Sequence, residues 1–356
     1  MLSFNEIFAD STKYCKMIKT DDYHETGINM IVDQGQSEIA GYTDLEEGLF
    51  SDVPAIIFGD HTRIIKYVDK PFFIGADGVK VLKSKLEKAN YRYLYYALKN
   101  VKIPNTGYNR HFKWLKETIF NYPNSDRQQE IVLILDKLQS IITHIRTQLE
   151  KLDLLVKSRF VEMFGNIENM CTIADVCSII TDGTHQPPKF TTDGIPFLFV
   201  SNIATNEIVY NAEKFISEET YNDLYKRTPI EIGDIILSTV GSYGHPAIVK
   251  TNKKFLFQRH IAYLKPIPTT INSIYLHRAI LSDNVQRQID ERVKGIAQKT
   301  LNLSEIRKIV IPAPPLELQT QFANFVKQVD QSKSILQQEL TQTQTLFNSL
   351  MQEYFG

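Results

Sequence analysis

The octapeptide SRFVEMFG at 158–165 returns in altered form as SLMQEYFG at 349–356. The match runs backwards without a gap at an offset of 191 residues: Pro123 falls on Pro314, Gln128 on Gln319, Leu149 on Leu340, Leu155 on Leu346 and Ser158 on Ser349. Self-similarity at a fixed offset marks a repeated structural unit, so the chain must be read as two copies of one plan.

The repeated stretch has its own periodicity. Apolar residues fall at Ile131, Leu135, Leu138, Ile142, Ile145, Leu149, Leu152 and Val156, with alternating spacings of four and three. That is a coiled-coil seam, with charged and polar residues such as Asp136, Lys137, Arg146 and Glu150 between its members. The second copy has Phe322, Val326, Val329, Leu336, Leu340, Phe347, Leu350 and Tyr354, interrupted by Lys333 and Thr343. Each copy predicts one helix of roughly 38–40 residues, about 57–60 Å long. The interrupted seam predicts that the second helix carries more exposed or partner-facing surface.

The flanking regions repeat more faintly. YLYYALK (93–99) precedes YLHRAIL (275–281) by 182 residues, and Gly27-Ile28 introduces an apolar run as Gly194-Ile195 does. The change of offset places about nine extra residues near 282–305 of the second copy. The boundaries that follow are a first domain at 1–123, a helix at 124–165, a second domain at 166–313 and a helix at 314–356. The fold class is α+β, with two tandem mixed α/β domains separated by two long coiled-coil helices. A chain that goes out along one helix and back along the other makes them antiparallel and relates the domains by an approximate two-fold.

The 356 residues suffice for two such domains, each able to bury a core. The three cysteines, Cys15, Cys171 and Cys177, have neither a disulfide framework nor zinc-ligand spacing. There is no apolar run of about 18 residues, and Asn5, Glu6 and Asp10 interrupt any leader-like start. These features predict a cytoplasmic protein without a membrane span.

Net charge is −1, but its distribution is uneven. Residues 1–60 hold three Lys/Arg and twelve Asp/Glu, whereas residues 61–116 hold thirteen and three. Residues 225–310 hold fourteen Lys/Arg and six Asp/Glu. The basic stretches occupy equivalent places in the repeat, which predicts a polyanion as partner. No phosphate loop or dinucleotide fingerprint occurs, and no histidine pair has metal-ligand spacing. QPPKF (186–190) is only loosely like the Asn-Pro-Pro-aromatic motif of adenine methyltransferases, since the Asn is missing and a Lys intervenes. GSYG (241–244) and DGTH (182–185) lie in no nucleophile elbow. The chain is expected to do no bond-breaking chemistry itself.

Polar, glycine-bearing loops supply the candidate contact residues. In the first copy these are Gln34, Gln36, Tyr42, His61 and Arg63, followed by Tyr108, Arg110, His111 and Lys113 in NTGYNRHFKW. In the second they are Thr184, His185, Lys189, Ser242, Tyr243, His245, Gln298 and Lys299. Basic side chains beside aromatics suit phosphate contact combined with base-edge or stacking contact.

DGTHQPPKF…DGIPFLFVSNI (182–203), GDIILSTVGSYG (233–244) and IPAPPLELQTQFANFV (311–326), followed by the long helix and its FG end, resemble the DNA-specificity subunits of type I restriction-modification systems. The likeness covers essentially the whole chain; its one departure is NYPNSDRQQE (121–130), with a single Pro where the second copy has PAPPLE. The resemblance implies that each domain is a target recognition domain reading one half of a split double-stranded DNA target. It implies that the helices act as a spacer and dock two adenine methyltransferase subunits, with two motor-nuclease restriction subunits joining for cleavage. S-adenosylmethionine would belong to the methyltransferase, ATP and Mg to the restriction subunit, and no cofactor to this chain. A methylation-only or type II-like system, and a coiled-coil scaffold without DNA binding, are the alternative readings.

Overall fold

The computed structural model describes residues 1–356 except 108 and 296–298. It divides into two compact units: Met1–Arg146 with Gln337–Gly356, and Thr147–Leu336. Each unit therefore joins one globular region to part of both long helices, a division that crosses the domain boundaries expected from the sequence.

In the first unit, strands β1 (Leu2–Ser3), β2 (Phe8–Asp10), β3 (Asn29–Val32), β4 (Gly41–Thr43), β5 (Ala55–Gly59), β6 (Ile65–Val68), β7 (Phe72–Ile74), β8 (Val79–Ser84) and β9 (Ile119–Phe120) form three sheets. Their orders are β1-β9, β2-β8-β5-β6 and β4-β3-β7. All pairs are antiparallel except β3-β7. Central β5, AIIFG, is buried throughout, as a strand covered on both faces requires. The helices are α1 (Phe4–Ile7), α2 (Tyr91–Lys99), α3 (Phe112–Lys116) and α4 (Ser125–Phe164).

The second unit continues with β10 (Met170–Thr172), α5 (Ile173–Val176), β11 (Cys177–Asp182), β12 (Ile195–Leu198), β13 (Lys214–Ile216), α6 (Glu218–Tyr225), β14 (Ile235–Ser238), β15 (Pro246–Ile248), β16 (Leu256–Phe257) and β17 (Ile261–Pro266). Then come α7 (Ser273–Ile280), α8 (Asp283–Arg292), α9 (Leu303–Ile306), β18 (Val310–Pro312) and α10 (Leu316–Phe355). Its sheets, β10-β18, β11-β17-β14-β15 and β13-β12-β16, copy those of the first unit strand for strand. The single parallel pair, β12-β16, is copied too. Two helices, α6 and α8, have no counterpart, and α8 occupies the stretch where the change of offset placed the extra residues.

Single side chains show how the repeat is built. Asn90 caps α2 by accepting from Tyr93 N, and Asn272 caps α7 by accepting from Ile274 N and Tyr275 N. The Tyr93 hydroxyl donates to the Asn121 carbonyl at 2.8 Å, and the Tyr275 hydroxyl to the Pro312 carbonyl at 2.8 Å. Gln128 Nε2 donates to the Pro123 carbonyl at 2.8 Å, and Gln319 Nε2 to the Pro314 carbonyl at 2.9 Å. Both glutamines are buried, so each bond satisfies a group that would otherwise be stranded at a helix start.

Both 40-residue helices bury the seam read from the sequence. In the first unit Ile131, Leu135 and Ile142 share a core with Phe347 and Met351, and Arg127 lies 5.4 Å from the Tyr354 ring. The beginning of α4 thus faces the end of α10. In the second unit Phe160 and Phe164 pack on Phe322 at 5.6 and 5.3 Å, so there the end of α4 faces the beginning of α10. Within each unit the two helical segments are antiparallel. Burying one such phenylalanine stabilises the fold by about 1.5–3 kcal/mol. Exposed apolar side chains do not favour the second helix: α4 has Leu133, Ile141, Leu154, Leu155 and Val161, and α10 only Leu316, Ile335 and Leu346. The seam interruptions remain half-buried, which corrects the expectation that they expose α10.

Candidate nucleic-acid interface

In the first unit, loops at the ends of β3, β5 and β7 converge with the segment before α3. Gln34 ties them together. Its Nε2 donates to the Asp77 carbonyl at 2.9 Å, its Oε1 accepts from His61 N at 3.2 Å, and its own carbonyl accepts from Thr62 Oγ1 at 2.7 Å. Gly78, at φ +85°, lies so close to the His61 ring that a Cβ there would come within 2.7 Å of it. Arg63 adopts φ 62°, and its guanidinium donates to the Ile103 carbonyl at 3.4 Å. Gln36 is exposed, while Tyr42 is half-buried in β4.

The segment before α3 is stapled to this cluster by a buried carboxylate. Asp60, 2 % exposed, accepts from Phe112 N at 2.6 Å through Oδ1. Its carbonyl accepts from His111 N at 2.8 Å and from His111 Nδ1 at 2.9 Å. His111 is therefore fully buried and offers no surface to a ligand. Its candidacy as a contact residue is corrected: the imidazole is consumed in fixing the loop. Its neighbours remain available. Arg110 is exposed, 3.5 Å from the Asp77 carboxylate, and exposed Lys113 lies 4.9 Å from the Trp114 ring centre. Tyr108 lies outside the described residues.

The second unit builds the same loop cluster. Asp60 N donates to the Gly78 carbonyl at 2.7 Å; at the equivalent place Thr239 N donates to the His260 carbonyl at 2.9 Å. Thr184 is held by its N–H on the Phe257 carbonyl, and Gly241 N donates to the Lys299 carbonyl. Lys299 Nζ lies 6.0 Å from the Tyr243 ring, whose hydroxyl donates to Asp290 Oδ1 at 3.0 Å. His245 Nδ1 donates to Asn206 Oδ1 at 3.0 Å. Lys189 and Ser242 are exposed. Gln298 lies outside the described residues.

The sequence reading missed one constellation. Asp182 accepts from His185 Nε2 at 2.9 Å and from Arg227 at 2.6 Å, presenting two exposed donors from one half-buried carboxylate. Arg227 stands 45 residues from Asp182, and only the general basic excess of 225–310 signalled it. Arg259, at the tip of the β16–β17 turn, was also missed; burial and then the Arg259 charge hold the neighbouring His260 imidazole below its ordinary pKa. The equivalent turn of the first unit carries Asp77 and Gly78. The two loop faces thus share a backbone frame and differ in charge. Among the described residues no three His, Cys, Asp or Glu side chains group as a metal site. No helix among them is long and apolar enough to cross a membrane.

Two stretches of the chain, 4–153 and 168–344, match the type I restriction modification DNA specificity domain. The chain belongs to this family and holds two copies of its domain. It is 29% identical over 171 residues to the specificity subunit of the type I restriction enzyme EcoBI of Escherichia coli, a match covering 48% of this chain and 36% of that protein. A match to the EcoR124I/EcoR124II specificity subunit of Escherichia coli likewise spans 38% of the relative. The MjaVIII specificity subunit of Methanocaldococcus jannaschii is 22% identical over 315 residues, covering 78% of this chain and 74% of the relative. Among solved structures, the type I restriction-modification S subunit from M. genitalium is similar in fold, with TM-score 0.61 at 16% identity, covering 100% of this chain and 98% of that one. A chain from a study of type I R-M complex assembly and conformational transition has TM-score 0.53 at 15% identity, with 98% and 97% coverage.

Proposed function

We propose that this chain is the specificity subunit of a type I restriction-modification complex, reading a bipartite, asymmetric double-stranded DNA target. The observation that carries the reading is the doubled loop frame: one sheet topology, used twice, holds two loop faces with different side chains. Arg110 and Lys113 serve the first face; His185, Arg227, Arg259 and Lys299 serve the second. Arginine and lysine cations and an imidazole donor on such loops hold phosphates and reach base edges, and unlike faces read unlike half-sites.

On this reading the chain carries no catalysis. It directs two adenine methyltransferase subunits, which bind S-adenosylmethionine, and two restriction subunits, which use ATP and Mg. Leu155 and Leu346, equivalent in the repeat and 47% and 50% exposed, support docking of one partner kind at two equivalent places. The test is methylome sequencing of cells expressing this chain with its methyltransferase. The expected result is adenine methylation at a split motif; absence of any split motif overturns the reading. Binding of duplex DNA by the assembled complex should weaken linearly in log–log terms as salt rises. A scaffold that does not bind DNA would give no such slope.

A further inference from the structure

The internal repeat provides a template for reading a large cavity of the second unit. In the first unit side chains of α2, β6 and α4 meet one another. The Arg92 guanidinium lies 4.7 Å from the Tyr67 ring and 5.3 Å from those of Tyr95 and Tyr96, and its Nε donates to Asp136 at 3.1 and 3.3 Å. The Tyr96 hydroxyl also donates to Asp136, at 2.6 Å. By the 182 and 191 offsets and the strand register, the second-unit counterparts of these five residues are Ile248, Ile274, His277, Arg278 and Lys327. All five line an open cavity of about 1290 Å³. One unit sets aromatic and ionic side chains against one another here, and the other has a cavity lined by different residues.

The chemistry of the cavity is specific. Ile248, Ile274 and Val326 give an apolar floor, and Val161 and Ile232, 65% and 56% exposed, extend it outward. The wall carries five Lys/Arg and four Asp/Glu side chains, a small positive excess. Lys333 pairs with Asp153, Lys250 with Glu207 and Arg278 with Asp330. Among the described residues Lys157 on α4 and Lys327 on α10 form no ion pair, and of the wall's carboxylates Asp283, at the start of α8, forms none either. The buried Nε of Arg278 also has no hydrogen-bond partner. Where the first unit has a helix carboxylate, Asp136, the second has a cation, Lys327, so a negatively charged occupant complements the wall around Lys157 and Lys327. The volume exceeds the roughly 300–1,000 Å³ of ordinary small-molecule sites.

We propose that this groove of the second unit docks an acidic, apolar segment of a partner protein. Carboxylates of the segment meet Lys157, Lys327 and Arg278, and an aliphatic or aromatic side chain packs on Ile248, Ile274 and Val326. The inference does not depend on the DNA reading. It makes the two halves of the chain unequal in what they recruit, although their folds are copies.

The probe is a fluorescein-labelled dodecapeptide alternating Glu with Leu and Phe, titrated into the full chain and followed by anisotropy. Saturable binding is expected. Lys157→Glu combined with Lys327→Glu, both on exposed side chains, should weaken it by about tenfold or more. Transplanting the first unit's residues, Ile248→Tyr with Ile274→Arg and Lys327→Asp, should abolish it. Asp136→Lys in the first unit should leave affinity within about twofold, as expected of an independent site. Absence of saturable binding, equal binding of a Lys-for-Glu or a Ser-for-Leu/Phe peptide, or an equal loss in Asp136→Lys would each overturn the proposal. Circular dichroism verifies the fold of each variant. If the transplant unfolds, the Lys157/Lys327 pair decides the matter alone.

Discussion

Lys333 Nζ lies 2.6 Å from Asp153 Oδ1, so the lysine that interrupts the apolar seam of α10 is paired across to α4. Its side chain is 31% exposed and that of Asp153 52%, where an ion pair contributes little because water screens it. Lys333→Leu joins Val329 to Leu336 in one apolar row. We expect stability to change by about 0–1 kcal/mol, in the stabilising direction, in urea titration. A loss of more than about 1 kcal/mol would show that the pair fixes the helix register.

The two buried glutamines should not be equally costly to remove. The Gln128 side chain donates to the Pro123 carbonyl. Gln319 donates to the Pro314 carbonyl and also accepts from Asn272 N at 2.8 Å, which joins α10 to the cap of α7. Gln128→Ala is expected to cost about 1–3 kcal/mol, and Gln319→Ala more, because it strands a backbone N–H as well. Equal urea midpoints for the two variants would contradict this.

Arg110→Ala should weaken recognition of one half-site and leave the other intact, since its ion pair, 3.5 Å to Asp77, lies within the first loop face. The informative measurement is methylation or binding against targets mutated in either half. Loss of a base-edge contact costs about 1–3 kcal/mol, while loss of a phosphate contact weakens all sequences alike. His111→Ala should instead destabilise the first unit, because the ring is buried on Asp60.

His277 gives a pH dependence with a definite sign. It is buried, and its Nε2 donates to the carbonyls of Pro246 at 3.1 Å and Asn206 at 3.3 Å. Burial, followed by the Arg278 charge, pushes its pKa down to about 4. The unfolded chain takes up this proton near pH 6.5 and the folded chain does not. The contribution is therefore fully present above about pH 6.5 and is lost as pH falls towards 4, by up to about 1.4 kcal/mol per pH unit. We expect His277→Gln to be less stable at pH 7 but to show a shallower loss between pH 6.5 and 4. Parallel pH curves of urea midpoint would refute this.

If the long helices set the separation of the half-sites, inserting one turn of about four residues in both, near Thr147 and near Leu336, should lengthen the spacer of the methylated motif. An unchanged spacer would show that the helices are not the ruler.

Everything that depends on local periodicity was decided by the sequence alone. Ile131 to Val156 marked a seam because an α-helix repeats its face every 3.6 residues whatever surrounds it. The 191-residue offset placed Gln128 and Gln319 in equivalent positions, and both make the same bond to a proline carbonyl. The shift from 182 to 191 marks the place of α8, Asp283–Arg292. What depends on distant partners was decided only by tertiary structure. His111 has the sequence neighbours of a surface contact residue, yet Asp60, 51 residues away, takes its ring out of reach. Arg227 and His185 became one site because β11 ends with Asp182 beside both. The side chains beside α2, Tyr67, Arg92 and Asp136, meet one another, whereas their counterparts beside α7, Ile248, Ile274 and Lys327, line a cavity. These residues lie far apart along the chain, and only packing brings them to one place.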